Sequence, residues 1–165
     1  MSILSDKIDV LKCDIDAYLK TKGIESFNYG LVRYVSKKEY NRLETVNYDE
    51  KGQHVCFDDS FGASFYFKCK SENFIQERAG GKTNTYLIEA SLIMYVMAKD
   101  SITKDYLTAY FLKYSNIELS DIDNDSQAIS KAEIGSHGFD AEQDLFSISF
   151  KLKYRSNECY FNACN

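Results

Sequence analysis

The spacing of apolar residues changes along this chain, and each change marks an element. Ile8, Leu11, Ile15 and Tyr18, with Leu19 beside them, recur at helical spacing and predict a helix over residues 3–22. Asp6 and Asp9 near its start and Lys20 and Lys22 near its end suit the helix dipole, and Gly23 supplies a stop. "YGLVRYV", 29–35, reads as a first strand. In "SKKEYNRLE", Ser36 and Glu39 can form a capping box for a short helix. "DEKGQ", 49–53, reads as a turn.

The period then becomes two. In "FGASFYFKCK", Ala63, Phe65, Phe67 and Cys69 alternate with Ser64, Tyr66, Lys68 and Lys70, the pattern of a half-buried strand. "TYLIEASLIMYVMA", 85–98, is the longest apolar run. Periodicity alone leaves it open to a helix, but Lys99-Asp100-Ser101 restarts the pattern, which favours a strand with Ile88, Ala90, Leu92, Met94 and Val96 on one face. A second helix is predicted over about 102–115, capped by Asp100 or Ser101, with Leu107, Tyr110, Phe111 and Tyr114 as its apolar stripe.

"DIDNDS" reads as a polar loop, "AISKAEIGSH", 128–137, as a fourth strand, and "GFDAEQD" as a turn. "LFSISFKLKYR" closes the pattern, with Phe146, Ile148, Phe150, Leu152 and Tyr154 facing a core and Ser147, Ser149, Lys151, Lys153 and Arg155 facing water. The prediction is therefore an α+β domain over residues 1–155 followed by a loose tail, 156–165. It has an antiparallel or mixed sheet of about five strands with two main helices on one face, in the order α-β-β-β-α-β-β.

Composition narrows the function classes. The chain has 165 residues, enough for one core, and its 13 Tyr and 11 Phe argue against disorder. A net charge of −5 disfavours a nucleic-acid-binding face, which needs clustered Lys and Arg. No apolar run is long enough to span a bilayer, and acids interrupt the N-terminus where a signal peptide needs its apolar core. An intracellular protein is expected, in which Cys13, Cys56, Cys69, Cys159 and Cys164 are free thiols.

Four stretches suggest chemistry and fall short of it. "QERAGGKT", 76–83, ends like a phosphate-binding loop, but Gln76 stands where the first glycine belongs and no helix follows. A hairpin tip turning on Gly80-Gly81 is the simpler reading. Asp121, Asp123 and Asp125 open like a calcium loop, but Ser126 replaces the required glycine and Ala132 the closing glutamate. His54 and Cys56 are half of a metal site that nothing completes, His137 being distant in sequence. No nucleophile elbow or paired carboxylates frame a catalytic site. Lys151, Lys153 and Arg155 lack interleaved aromatics, so they read as a solvated strand face rather than a nucleic-acid platform. The expectation is a non-enzymatic protein with no cofactor and no metal.

One positive feature remains. "SENFIQERAGGKTNT", 71–85, joins two strong strands and is much longer than the usual hairpin loop of about two to five residues. It is expected to extend those strands into a protruding arm that reaches a neighbouring subunit and covers exposed edges.

The helix "SDKIDVLKCDIDAYLK", the pair "FGASFYFKC…TYLIEASLIMYVMA" around the polar arm, and the closing strand "LFSISFKLKYRS" together resemble the tail-terminator and head–tail neck proteins of tailed bacteriophages. The resemblance is one of topology and covers nearly the whole chain. It implies a structural virion protein, assembled in the host cytoplasm as a homo-oligomeric ring at the junction of head and tail. DNA would only pass through such a ring, and adjacent connector, portal or tail proteins would dock on it. It further implies that Phe74, Arg78, Lys82 and Asn84 on the arm meet a neighbour. The alternative is a small intracellular α+β module that binds a protein or ligand without catalysis.

Overall fold

In the computed structural model of the chain, two helices and six strands are built from residues 3–39, 42–49, 55, 60–79, 83–124 and 144–155, which are the residues the structure describes; of these, the side chains of 33–49, 75–79 and 83–86 are left out of the description. The order is α1 (Ile3–Thr21), β1 (Ser26–Glu39), β2 (Arg42–Asp49), β3 (Ala63–Ala79), β4 (Thr83–Ala98), α2 (Ile102–Leu112), β5 (Ile117–Asp123) and β6 (Asp144–Arg155). The strands form one mixed sheet in the spatial order β2-β1-β3-β4-β6-β5. Only β1 and β3 run parallel; every other neighbouring pair is antiparallel.

The predicted α+β architecture, with its helices on one face and a long hairpin, is present. Ile8, Ile15 and Leu19 of α1 and Leu107 and Phe111 of α2 pack into one core with Phe65, Phe67, Met94, Val96, Ile148 and Phe150 of the sheet. Of the residues that the periodicity selects for these faces, Tyr114, which lies beyond the end of α2, and Cys69 are exposed, and the rest join that core or pack against it. The long apolar run is a strand because both its faces are covered: Leu92, Met94 and Val96 meet the helices, while Ile93, Tyr95 and Met97 join Tyr66, Leu145 and Val55 in a second cluster behind the sheet.

That second cluster corrects a simple reading of alternation. Alternation turns Ser64, Tyr66 and Lys68 of β3 and Ser147 of β6 away from the helix-side core, yet all four are buried. Val55, between β2 and β3, packs over this face with Tyr66. Tyr66 and Tyr95 stack with ring centroids 5.1 Å apart, and the Lys68 ammonium lies 4.9 Å from the Tyr95 ring centre. The cation–π contact gives a buried ammonium a partner that an apolar wall would not.

Other differences have local causes. The short helix expected at "SKKEYNRLE" is a strand hairpin, β1–β2, whose rungs run from Val32↔Asp49 to Glu39↔Arg42. Ladder pairing overrides a capping box that has only a few residues of helix behind it. Part of "DIDNDS" is strand: β5 reaches Asp123, with Ile122 paired to Ile148. The strand expected over 128–137 and the tail 156–165 lie outside the described residues.

Two glycines use a left-handed backbone. Gly23, φ +78°, ends α1: its N–H donates to the Lys20 carbonyl and the Ile24 N–H to the Leu19 carbonyl, a Schellman closure. Gly30, φ +68°, sits at a bulge in β1, where Asn28 pairs with Phe65 and Leu31 with Phe67. The extra residue resets the alternation. Before it, Ser26 and Asn28 face α1 and donate to the Asp16 carboxylate; after it, Leu31 enters the helix-side core and Val32 the cluster behind.

Candidate functional site

Two features stand apart from the packed body: an arm and a cleft. The arm follows from strand lengths. Strand β1 accompanies β3 only as far as Leu31↔Phe67. Strand β6 accompanies β4 only as far as Leu87↔Arg155. The β3–β4 ladder continues through Gln76↔Tyr86, Glu77↔Thr85, Arg78↔Asn84 and Ala79↔Thr83. These last rungs form a ribbon with no third strand among the described residues. From Cys69 to Phe74, β3 is exposed throughout, and Phe74 is 68% exposed.

A bulge between Cys69 and Ser71 disturbs the register where β3 loses its β1 neighbour. Bulges are a common way to end or redirect pairing at an edge. The bulge also swings Glu72 onto the helix face, where the Tyr154 hydroxyl donates to its Oε1 at 3.0 Å. Burial and the Glu72 carboxylate push the Tyr154 phenol up.

The β1–β2 hairpin is a second ribbon. Past Leu31, β1 pairs with β2 alone. Because β1 and β3 are parallel, both ribbons leave the sheet at the same end.

The cleft follows from helix lengths. Helix α1 has 19 residues and α2 has 11. At 1.5 Å per residue, α2 is shorter by roughly 12 Å. It stops at Leu112, and the sheet beyond it is left without a helix. The gap is a cleft of about 640 Å³. Its floor is Ile117, Leu152 and Tyr154; one wall is the α1 stripe Lys7, Val10, Leu11 and Asp14; Tyr110 and Tyr114 close its end. Val10 is 70% exposed there, an apolar side chain with little packed on it.

Asp14 ties the wall to the end. It accepts from the Tyr110 hydroxyl at 2.5 Å and from the Tyr114 hydroxyl at 2.8 Å through the same oxygen. These two donors hold its carboxyl below the ordinary range, with the Tyr110 bond the larger effect. The Tyr110 phenol is pushed far up by burial first and then by Asp14. The Tyr114 phenol is also raised, chiefly by its bond to Asp14. Neither the acid nor the phenols are poised to exchange protons near neutral pH, so this constellation suits binding better than acid–base chemistry.

Asp16, two residues along α1, goes the other way. Burial raises its carboxyl despite the bonds from Ser26 and Asn28. It faces β1 rather than the cleft and serves to dock the helix.

The residues expected on the arm divide. Phe74 is on the exposed edge as anticipated. Arg78 and Asn84 form one backbone rung of the ribbon, and Lys82 lies outside the described residues, as do Gly80 and Gly81. Asp121 and Asp123, which open the calcium-like run, are in strand β5, and Asp121 accepts its own neighbour's N–H, from Ile122, at 2.9 Å. In an extended strand Asp121 and Asp123 share a face but are spaced about 6.6 Å apart along it, so they do not curl around a cation as a calcium loop does. His54, Cys56 and His137 lie outside the described residues. Lys151 and Lys153 do lie on the more open face of β6, where both pair with Glu89 at 3.4 and 3.8 Å.

The sequence reading missed the cleft and its Asp14–Tyr110–Tyr114 cluster. Asp14 is one of many scattered acids, and Tyr110 and Tyr114 are 96 and 100 residues away from it. The one available signal was Tyr114, assigned to the α2 stripe although the helix ends before it.

No protein family, curated protein or solved structure matches this chain significantly. No helix among the described residues is long and apolar enough to cross a membrane.

Proposed function

We propose that this chain is a non-enzymatic structural protein that works by assembling with copies of itself through its β3–β4 arm. The observation that carries this reading is the ribbon from Gln76↔Tyr86 to Ala79↔Thr83, which runs past both neighbouring strands. A two-stranded ribbon is marginal in water on its own. Its unpaired edges and the exposed Phe74 are better satisfied against another subunit. A contact made by an arm on one side of a subunit and received on another is head-to-tail, and such contacts form a ring when the rotation between subunits closes.

The specific form proposed is the ring of a phage neck or tail terminator, located in the virion, with neighbouring connector, portal or tail proteins as further partners. The net charge of −5 suits a channel wall past which DNA must slide without sticking. The test is the native mass by light scattering across a concentration series, with negative-stain imaging of any assembly. Closed rings are expected. A chain that stays monomeric at every concentration, and that no neck or tail component captures, overturns the reading.

A second reading has its own support. A cleft of about 640 Å³ falls within the range of small-molecule sites and suits a ligand-binding module. Co-purification of a small molecule with a monomeric protein would favour it.

A further inference from the structure

We infer that the cleft beside α1 binds an extended zwitterion, an ammonium and a carboxylate joined by an apolar stretch, such as a short apolar peptide with free termini. This deepens the ligand-binding reading of the cleft and rests on it.

The α1 wall carries the pattern of such a ligand with the charges reversed. Lys7, Val10, Leu11 and Asp14 stand at i, i+3, i+4 and i+7, so they share one stripe of the helix. Read along the stripe, they are a cation, two apolar side chains and an anion. The two charges are seven residues apart, roughly 10 Å along the helix. An extended chain of three residues spans about the same 10 Å. Ile117 and Leu152 continue the apolar middle across the floor.

The inner end asks for a donor that carries positive charge. The Tyr110 and Tyr114 hydroxyls both give their protons to one oxygen of Asp14, Oδ2. Those bonds hold the carboxyl ionised, and Asp14 makes no ion pair among the described residues. Lys113, beside Tyr114 in the chain, lies instead over the Tyr18 ring, with its ammonium 5.2 Å from the ring centre. With the phenol protons committed, what remains at this end is lone pairs and a negative charge. An ammonium brings both the donors and the charge that match; a hydroxyl brings one donor and no charge.

The outer end is basic. Lys7 is exposed and makes no ion pair among the described residues. Lys153 is already engaged, by Glu89 at 3.8 Å and Glu118 at 3.7 Å. Arg155 lies three residues beyond Leu152 on β6, past the point where β5 begins opposite Leu152, and adds its charge to the Lys7 end. A purely cationic ligand would meet these bases, and a purely anionic one would meet Asp14. A zwitterion lying in one direction satisfies both ends. Charge placed in this way fixes the orientation of a ligand more than it strengthens binding.

The experiment is calorimetric titration of the full chain with leucyl-alanyl-leucine, its N-acetyl form, its C-terminal amide and free leucine. The tripeptide with free termini is expected to bind tightest. Blocking either end should weaken binding by about 10-fold or more, the loss of one charge-assisted bond. Free leucine, too short to reach both ends, should bind as weakly as the blocked peptides. Asp14→Asn is expected to bind the free and acetylated peptides alike, and Lys7→Gln the free and amidated ones. Both side chains are exposed, and an unchanged melting temperature checks that the fold is intact. A titration with ω-aminooctanoate, which has the same ends and span, separates the two sources of this chemistry: equal binding means that the ends alone are read, and weaker binding that the peptide groups are read as well.

If wild type binds the free and acetylated peptides equally, or if Asp14→Asn still prefers the free one, the zwitterion is wrong while a ligand site stands. A co-purified molecule without an ammonium, identified by native mass spectrometry, overturns the class in the same way. If neither zwitterion binds at millimolar concentration and no small molecule co-purifies, the zwitterion and the ligand-binding reading fall together.

Discussion

Phe65 and Phe74 lie on the same strand, nine residues apart, and occupy opposite worlds. Phe65 is fully buried, edge-to-face with Phe67 at 5.7 Å and beneath the helices. Phe74 is on the same helix-facing side of the ladder and is 68% exposed. The difference is not in β3. Around Phe65 the strand has β1 on one side, β4 on the other, and layers above and below. Around Phe74 it has only β4 in the sheet. One hairpin thus supplies the centre of the body and the whole of the arm, and its neighbours decide where one becomes the other.

The sharpest way to break this comparison is to truncate both rings. Phe65→Ala is expected to cost about 3–5 kcal/mol, from lost burial and a cavity that its packed neighbours cannot fill. Phe74→Ala should change the stability of the isolated subunit by less than about 0.5 kcal/mol. Chemical denaturation of both variants measures this. Similar losses would mean that the arm is part of the core.

Gly30→Ala tests the point where β1 departs from the body. A side chain there must take φ +68°, at a cost of roughly 1–2 kcal/mol, while its nearest contact, the Lys12 Nζ at 3.3 Å from the added Cβ, is on a flexible side chain that can move. Thermal unfolding should register the loss. An unchanged melting temperature would mean that the bulge does not need a left-handed residue.

The two acids of α1 give a smaller and pH-dependent test. The Asp14 carboxyl is lowered in the fold, so its contribution is present above its unfolded pKa of 3.8 and is lost as pH falls through the folded value. The Asp16 carboxyl is raised, so its contribution is present below 3.8 and is lost as pH rises through the folded value. Tyr110→Phe should remove most of the Asp14 term, costing about 1 kcal/mol at pH 7 and less at pH 3. Urea titrations at both pH values check it. A cost that does not fall with pH would show that the hydroxyl matters for packing rather than for the carboxylate.

The extension of β3 and β4 into a ribbon was legible, because a polar stretch between two strong strands has few other things to be. The cleft was not legible. It depends on α2 ending at Leu112 while the sheet runs on, and on Asp14 meeting tyrosines about a hundred residues away. The burial of Tyr66 and Lys68 was hidden for a similar reason, since alternation reveals two faces but not whether a distant segment, here the one carrying Val55, covers the second.

What the sequence by itself determined is local. Period 3.6 in α1 and α2 and period two in β3, β4 and β6 follow from which face of each element must leave water, and that information is carried residue by residue. Tertiary structure alone decided how far each neighbour travels beside the next. The lengths over which β1 accompanies β3, β6 accompanies β4 and α2 covers the sheet are properties of pairs, not of segments. They create the arm and the cleft together, because both are places where an element ends before its neighbour does.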